Sequence, residues 1–347
     1  MNATILTEQE LSMIHAIKPI LSAKTFLLLI NLFIYILISA AIVGIVANAL
    51  VIITYTKIGL SETINISYLA LGICDLSTSV VRFWGSLCFA FDITKTELPF
   101  DPASVLVTTA FFPGQGFEKT TAFITAFIAL ERCLCVQFPL HVRTIVTRRK
   151  TIISIVIISI AVFVPSNLIH IVFRLQWVFN PAQNRTMLTL VRLQTPLRYI
   201  LQRALLAYYG TILHFTALIT VWICTIFLAV GLKRKADIKR DNFKHSNAQQ
   251  DKQKERRVIK TVFLLAVTYL ACSTPTAVTL LVPHFEPEFE TNRGLARIST
   301  ISHIISGLLT QVNSSSNLFI FINMGSKFRN TFFTLCGKRN PRGSVAK

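Results

Sequence analysis

The chain has 347 residues, 52% of them hydrophobic and 15% charged, with a formal net charge of +19. Soluble domains carry about 25% charged residues, so an ordinary soluble fold is excluded. The excess of bases would fit a nucleic-acid binder, but the bases are segregated from long apolar blocks, and that class is excluded too.

Residues 1–25 form a polar leader holding Glu8, Glu10, Lys18 and Lys24. Seven apolar blocks follow: Phe26–Tyr55, Ile64–Phe91, Val105–Val136, Thr151–Phe173, Ala204–Leu232, Val258–Val282 and Ala296–Asn323. About 20 apolar residues cross a bilayer as a helix. The first block is too long for a signal-peptide core and reads as a retained span. None alternates as a membrane barrel must. The expectation is an all-α membrane protein, a bundle of seven transmembrane helices over 26–323, and a cytoplasmic tail over 324–347.

The bases fix the orientation. Arg143, Arg148, Arg149 and Lys150 follow the third block. The stretch 233–257 holds ten bases against four acids, and the tail adds Lys327, Arg329, Lys338, Arg339, Arg342 and Lys347. With seven spans all three lie on one side, which the positive-inside rule makes cytoplasmic. The N-terminus is then extracellular. So are the sequons at Asn2 and Asn184, candidate glycosylation sites. The stretch 233–257 reads as a cytoplasmic loop or a helical extension into water. The seven cysteines show no paired spacing, and no disulfide framework is implied.

Polar groups inside spans are costly and mark function. Asn48 interrupts "GIVANALVI" and Asp75 interrupts "SYLALGICDLSTSV". In the third block Glu118, Thr121, Thr125, Ala129 and Arg132 recur at helical spacing on one face. Asn313, Ser314 and Asn317 lie in the seventh. A carboxylate at the depth of Asp75 needs a cation, a proton or several donors.

Taken in order, "NISYLALGICDL", "ERCLCVQFPL", "CSTP", "NSSSNLFIF" and "MGSKFRNTF" resemble the motifs of rhodopsin-like (class A) G-protein-coupled receptors. The resemblance covers nearly the whole chain. "GLSETINISYLALGICDL" and "TTAFITAFIALERCLCVQFPLHVRTIVTRRKTI" are further similar to chemosensory receptors of gastropod molluscs. The resemblance implies a plasma-membrane receptor, not an enzyme. It would bind an extracellular small molecule or short peptide and activate a heterotrimeric G protein, with no nucleic-acid partner. A neuropeptide receptor of the same fold is the alternative. A transporter is a weaker one, since matching repeats and midplane charge pairs are missing.

By the same resemblance, Arg132 is a cytoplasmic latch held at rest by Glu131 and by Glu255. Asn48, Asp75, Thr121, Asn313, Ser314 and Asn317 line a polar pocket that can hold a sodium ion at Asp75. No other cofactor is implied. Gly114, Gln115, Glu118, Ser273 and Gln311 mark the ligand pocket. Gly114 stands where amine receptors of the family carry an Asp, and Gln311 where opsins carry the retinal Lys. Glu118 is a candidate partner for a cationic ligand, or else pairs internally with Lys119 or Arg82. Ser273 replaces a Trp, Leu318 a Pro and Phe321 a Tyr. Val107 replaces the Cys that normally ties the outer end of span three to the following extracellular loop, so a looser loop is expected over Arg174–Arg203. The stretch "KFRNTFFTLCGK" reads as an interfacial helix with Phe328, Phe332 and Leu335 on one side. Cys336 at its end is a candidate palmitoylation site.

Overall fold

The computed structural model describes residues 21–94, 98–138, 146–171, 173–181, 184–192, 196–241, 247–286, 289 and 295–337. Helix α1 is Ala23–Ile58, capped by Ser22, whose hydroxyl accepts from Thr25 N. It ends at Gly59, where φ of +88° suits glycine. Helix α2 is Thr63–Thr94. Helix α3 runs Pro102–Gln137 and contains a π turn at Leu106–Phe111. Pro113 explains the wide turn, because proline offers no N–H to the carbonyl four residues back.

Helix α4 is Arg148–Phe163, continued by a 3-10 segment Val164–Ile171. The span expected over Thr151–Phe173 is therefore shorter as an α-helix. Pro165 supplies the reason, since it frees the Ala161 carbonyl. Tyr208 donates to that oxygen at 3.1 Å and Tyr209 to the Val162 oxygen. Both tyrosines belong to α5, which runs in three pieces: Pro196–Leu206, a π turn Ala207–Ile212, and Leu213–Asp241. Helix α6 is Asn247–Phe285 with Pro275 inside it. Helix α7 is Ala296–Met324 and α8 is Ser326–Leu335. Within the described part of 233–257 the chain is helical, and those residues extend α5 and α6.

Six of these helices are long and apolar enough to cross a membrane. The seventh, α7, is more polar, yet its Ser299, Ser306, Gln311, Asn313, Ser314 and Asn317 are buried. The bundle is thus apolar outside and partly polar inside. Leu28, Tyr35, Ile157 and Phe227 are among the large apolar side chains that face outward. Helix α3 is central, touching α2, α4, α5 and α6, while α7 packs on α1 and α6. At Gly116 of α3 an added Cβ would stand 2.6 Å from Ser166 Oγ and 2.9 Å from Phe163 Cδ2. Only glycine lets α3 and the end of α4 approach so closely. An apolar cluster of Val51, Tyr55, Tyr68, Leu71, Ile128, Leu228, Ile259 and Phe321 fills one end of the bundle.

One element between α4 and α5 departs from the sequence expectation. Residues Phe173–Asn180 (β1) and Arg185–Arg192 (β2) pair antiparallel. The turn carries Asn184 at φ 48°, a left-handed conformation that Asn tolerates. The hairpin is tied to the start of α3. Asp101 N donates to Leu188 O at 2.8 Å and Leu188 N to Pro99 O at 3.0 Å. The Asp101 carboxylate caps α3 at Ser104 N and bonds the Ser104 hydroxyl, which meets Thr189 Oγ1 at 3.2 Å. None of the seven cysteines forms a disulfide. The loop expected to be loose without a disulfide is held by hydrogen bonds instead.

Candidate functional site

Deep in the bundle, α1, α2, α3 and α7 meet at Asp75. Its carboxylate is buried. One oxygen accepts from Thr121 Oγ1 at 3.1 Å and the other from Asn317 Nδ2 at 2.7 Å. Asn48 Nδ2 donates to Ser314 Oγ at 3.0 Å and to Gly44 O at 3.0 Å. Asn48 Oδ1 is buried without a hydrogen-bond partner among the described residues. Asn313 lines the cavity beside this junction. The six residues expected to form the polar pocket do converge. An acidic pair of oxygens beside an unpartnered amide oxygen is a donor set suited to a small hard cation.

Above the junction lies a cavity lined by Asp75, Thr78, Glu118, Lys119, Thr121, Ala122, His214, Tyr269, Ser273, Thr276, Thr310, Asn313 and Ser314. Its room for water centres is about 20 Å³, and one water needs roughly 10–15 Å³ on that measure. Glu118 is not free. It accepts from Arg82 Nη2 at 2.5 Å and Lys119 Nζ at 3.2 Å. It pairs internally with both Arg82 and Lys119 at once, the arrangement weighed beside its role toward a cationic ligand. Arg82 reaches across because Gly307 of α7 is bare; a Cβ there would lie 2.9 Å from Nη1.

Lys119 continues the chain of contacts to His214 Nδ1 at 3.3 Å. The π turn of α5 ends just before His214, so the extra residue in that turn helps set which side of α5 faces α3. Of the expected ligand-pocket residues, Glu118 and Ser273 line the cavity. Gly114, Gln115 and Gln311 do not: Gly114 faces Val81, and Gln311 is buried against α1 and α2, where its Nε2 donates to Ser79 Oγ at 2.8 Å. The reading of the sequence missed Lys119 and His214 as site residues. The signal was present, for an ionisable residue within a span is a functional candidate by default.

At the far end of α3, Arg132 Nη2 donates to Glu131 Oε1 at 2.8 Å. Thr63 Oγ1 donates to the same oxygen at 2.9 Å. The Glu131 side chain is 1% exposed and that of Arg132 13%. Glu131 is thus no solvated helix end. Tyr68 lies in reach of their charges, packs tilted against Phe321 with ring centroids 4.7 Å apart, and has a buried hydroxyl with no partner among the described residues. The side chain of Glu255 lies outside the described residues, as does Asn2. Helix α8 docks on this end. Phe328 is 2% exposed and packs on Tyr55 at 5.0 Å and Phe321 at 5.5 Å. Phe328 faces the bundle, while Leu335 and Cys336 are exposed.

A family model for the serpentine type 7TM GPCR chemoreceptor Srw matches residues 33–339. The chain belongs to that family. It is a G-protein-coupled receptor and a multi-pass membrane protein. More distantly, it is similar to neuromedin-U receptor 2 of Mus musculus, 25% identical over 304 residues, covering 84% of this chain and 71% of that one. Neuromedin-U receptor 2 of Homo sapiens is 22% identical over 297 residues, covering 84% and 68%.

Proposed function

We propose that this chemoreceptor is a rhodopsin-like receptor, similar to those of gastropod molluscs, that senses an extracellular small molecule in the cavity above Asp75. Its N-terminus faces outward, where Asn2 and Asn184 can carry glycan, and its C-terminus faces the cytoplasm. The observation that carries the reading is the pairing of two separate polar centres on α3. Asp75, Thr121 and Asn317 tie α2, α3 and α7 beneath the cavity, and Glu131 restrains Arg132 at the other end. A ligand that binds one arrangement of the upper centre shifts the population of the lower one.

In the resting state Asp75 and Asn48 Oδ1 would hold a sodium ion, whose charge would offset that of the buried carboxylate. On activation Arg132 leaves Glu131 and meets the G protein; Glu255 adds to the restraint from α6. Cys336, exposed at the end of α8, takes a palmitoyl chain that holds that helix at the bilayer. The likeness to receptors named for neuromedin-U favours a second reading, a neuropeptide receptor. Guanine-nucleotide exchange on a co-expressed heterotrimeric G protein tests the proposal, with small molecules and peptides as separate panels. Arg132→Ala is expected to abolish exchange at unchanged surface expression. A fully active Arg132→Ala receptor would overturn the mechanism.

A further inference from the structure

The charged wall of the cavity has a balance that the Asp75 junction does not explain. Two cations, Arg82 and Lys119, share one carboxylate, Glu118. Two against one leaves a net positive charge. The Lys119 side chain is 3% exposed, and its other neighbour is His214 Nδ1 at 3.3 Å. A ring nitrogen that accepts from an ammonium leaves the ring proton on Nε2. That Nε2 is buried, and the Ser273 backbone lies within hydrogen-bonding reach of the ring. Thr276 Oγ1 on the same wall is buried without a partner among the described residues. Asp75, the other carboxylate on the cavity, has both oxygens engaged by Thr121 and Asn317. A cation or proton at Asp75 would cancel its charge and leave the wall's excess uncompensated.

An uncompensated charge in a low-dielectric interior is costly until a counter-charge arrives. We propose that this wall binds a monoanion, the carboxylate of the extracellular agonist. Lys119 is its ion-pair partner, and His214 Nε2 and Thr276 Oγ1 are its hydrogen-bond donors. Charge-assisted bonds of this kind are the strong ones. The cavity's narrowness suits a small head group, and the partial exposure of Arg82 and Glu118, at 22% and 13%, marks the way in. The neutralisation of Asp75 and the occupant's identity as an agonist both rest on the receptor reading above.

The test is thermal unfolding of the detergent-purified receptor titrated with acetate and propionate as choline salts. The neutral isosteres acetamide and propionamide serve as controls, at ionic strength held with choline chloride. The carboxylates are expected to raise the unfolding midpoint in a saturable way and the amides to leave it unmoved. Lys119→Met is expected to weaken the carboxylate effect by about tenfold or more, the factor that a lost charge-assisted bond carries. Lys119→Arg keeps the charge and is expected to retain the carboxylate effect, and His214→Gln is expected to weaken it. These two variants serve if Lys119→Met does not fold.

Equal shifts from amides and carboxylates would overturn the proposal, as would a Lys119-independent shift. If replacing chloride by isethionate lowers the midpoint and carboxylates add nothing, the occupant is a free halide and the agonist-carboxylate assignment is overturned. No G protein is present, so failure here is distinct from failure of nucleotide exchange.

Discussion

Glu131→Gln isolates the restraint on Arg132. The substitution preserves shape and leaves an amide oxygen for Thr63, whose bond to Oε1 is 2.9 Å long. It removes the charge that faces Arg132 at 2.8 Å. A hydrogen bond involving a charged group contributes about 1.5–3 kcal/mol. At about 1.4 kcal/mol per factor of ten, that is a shift of roughly 10- to 140-fold toward the freed arrangement. A receptor active about 1% of the time would become active roughly 10–60% of the time without ligand. The assay is basal nucleotide exchange on the co-expressed G protein, normalised to receptor counted at the surface. Thr63→Val removes only the neutral donor and should raise basal exchange less. If Glu131→Gln leaves basal exchange per receptor unchanged, the restraint does not hold the resting state, whatever the geometry of the pair.

Further outcomes are expected. Asp75→Asn should abolish any sodium dependence of agonist affinity; sodium indifference in the unmodified receptor would instead favour a protonated Asp75. Gly44→Ala should lower the thermal midpoint, because a Cβ there would lie 1.9 Å from Gln311 Nε2 and 2.6 Å from Ser79 Oγ, and overpacking of this kind costs about 1–3 kcal/mol. A midpoint equal to that of the parent would show that Gln311 repacks freely. Reducing agent should leave agonist binding intact, since none of the seven cysteines forms a disulfide. Asp101→Ala should weaken binding and stability by about 0.5–2 kcal/mol through loss of the α3 cap; a loss of binding in dithiothreitol would refute the hydrogen-bonded tether. Acyl-biotin exchange should label Cys336, and an unlabelled Cys336 would remove the lipid anchor while leaving α8 in place.

The spans were legible because a bilayer demands long apolar runs, and the polar pocket because each of its members interrupts such a run. Glu131 and Arg132 were legible as a pair but not as buried, since burial depends on how α2 and α3 meet at Thr63. The hairpin was not read, although Asn180, Pro181 and Asn184 mark a turn between two apolar-rich stretches. Its anchor on Pro99 and Asp101 is remote in sequence. Glu118 was seen as a ligand group because its spacing puts it on the inner face of α3. What the spacing cannot reveal is that a bare Gly307 lets Arg82 cross to it. Lys119 and His214 lie 95 residues apart, and only the packing of α3 against α5 brings them together. Gln311 matched a family position yet points at Ser79, because Gly44 opens a slot for it there.

The polarity of α7 has a consequence for how the chain is made. A helix bearing Ser299, Ser306, Gln311, Asn313, Ser314 and Asn317 on its buried side partitions poorly into lipid by itself. It is also the last of the long helices to be synthesised. Its insertion is therefore completed by partners already in place, Asn48 for Ser314, Ser79 for Gln311 and Asp75 for Asn317. Damage to those partners should first appear as a topological error, with the C-terminus stranded on the wrong side of the membrane and the chain retained during biogenesis. The groups that tie the helices beneath the sensing cavity thus also decide whether the seventh helix crosses at all.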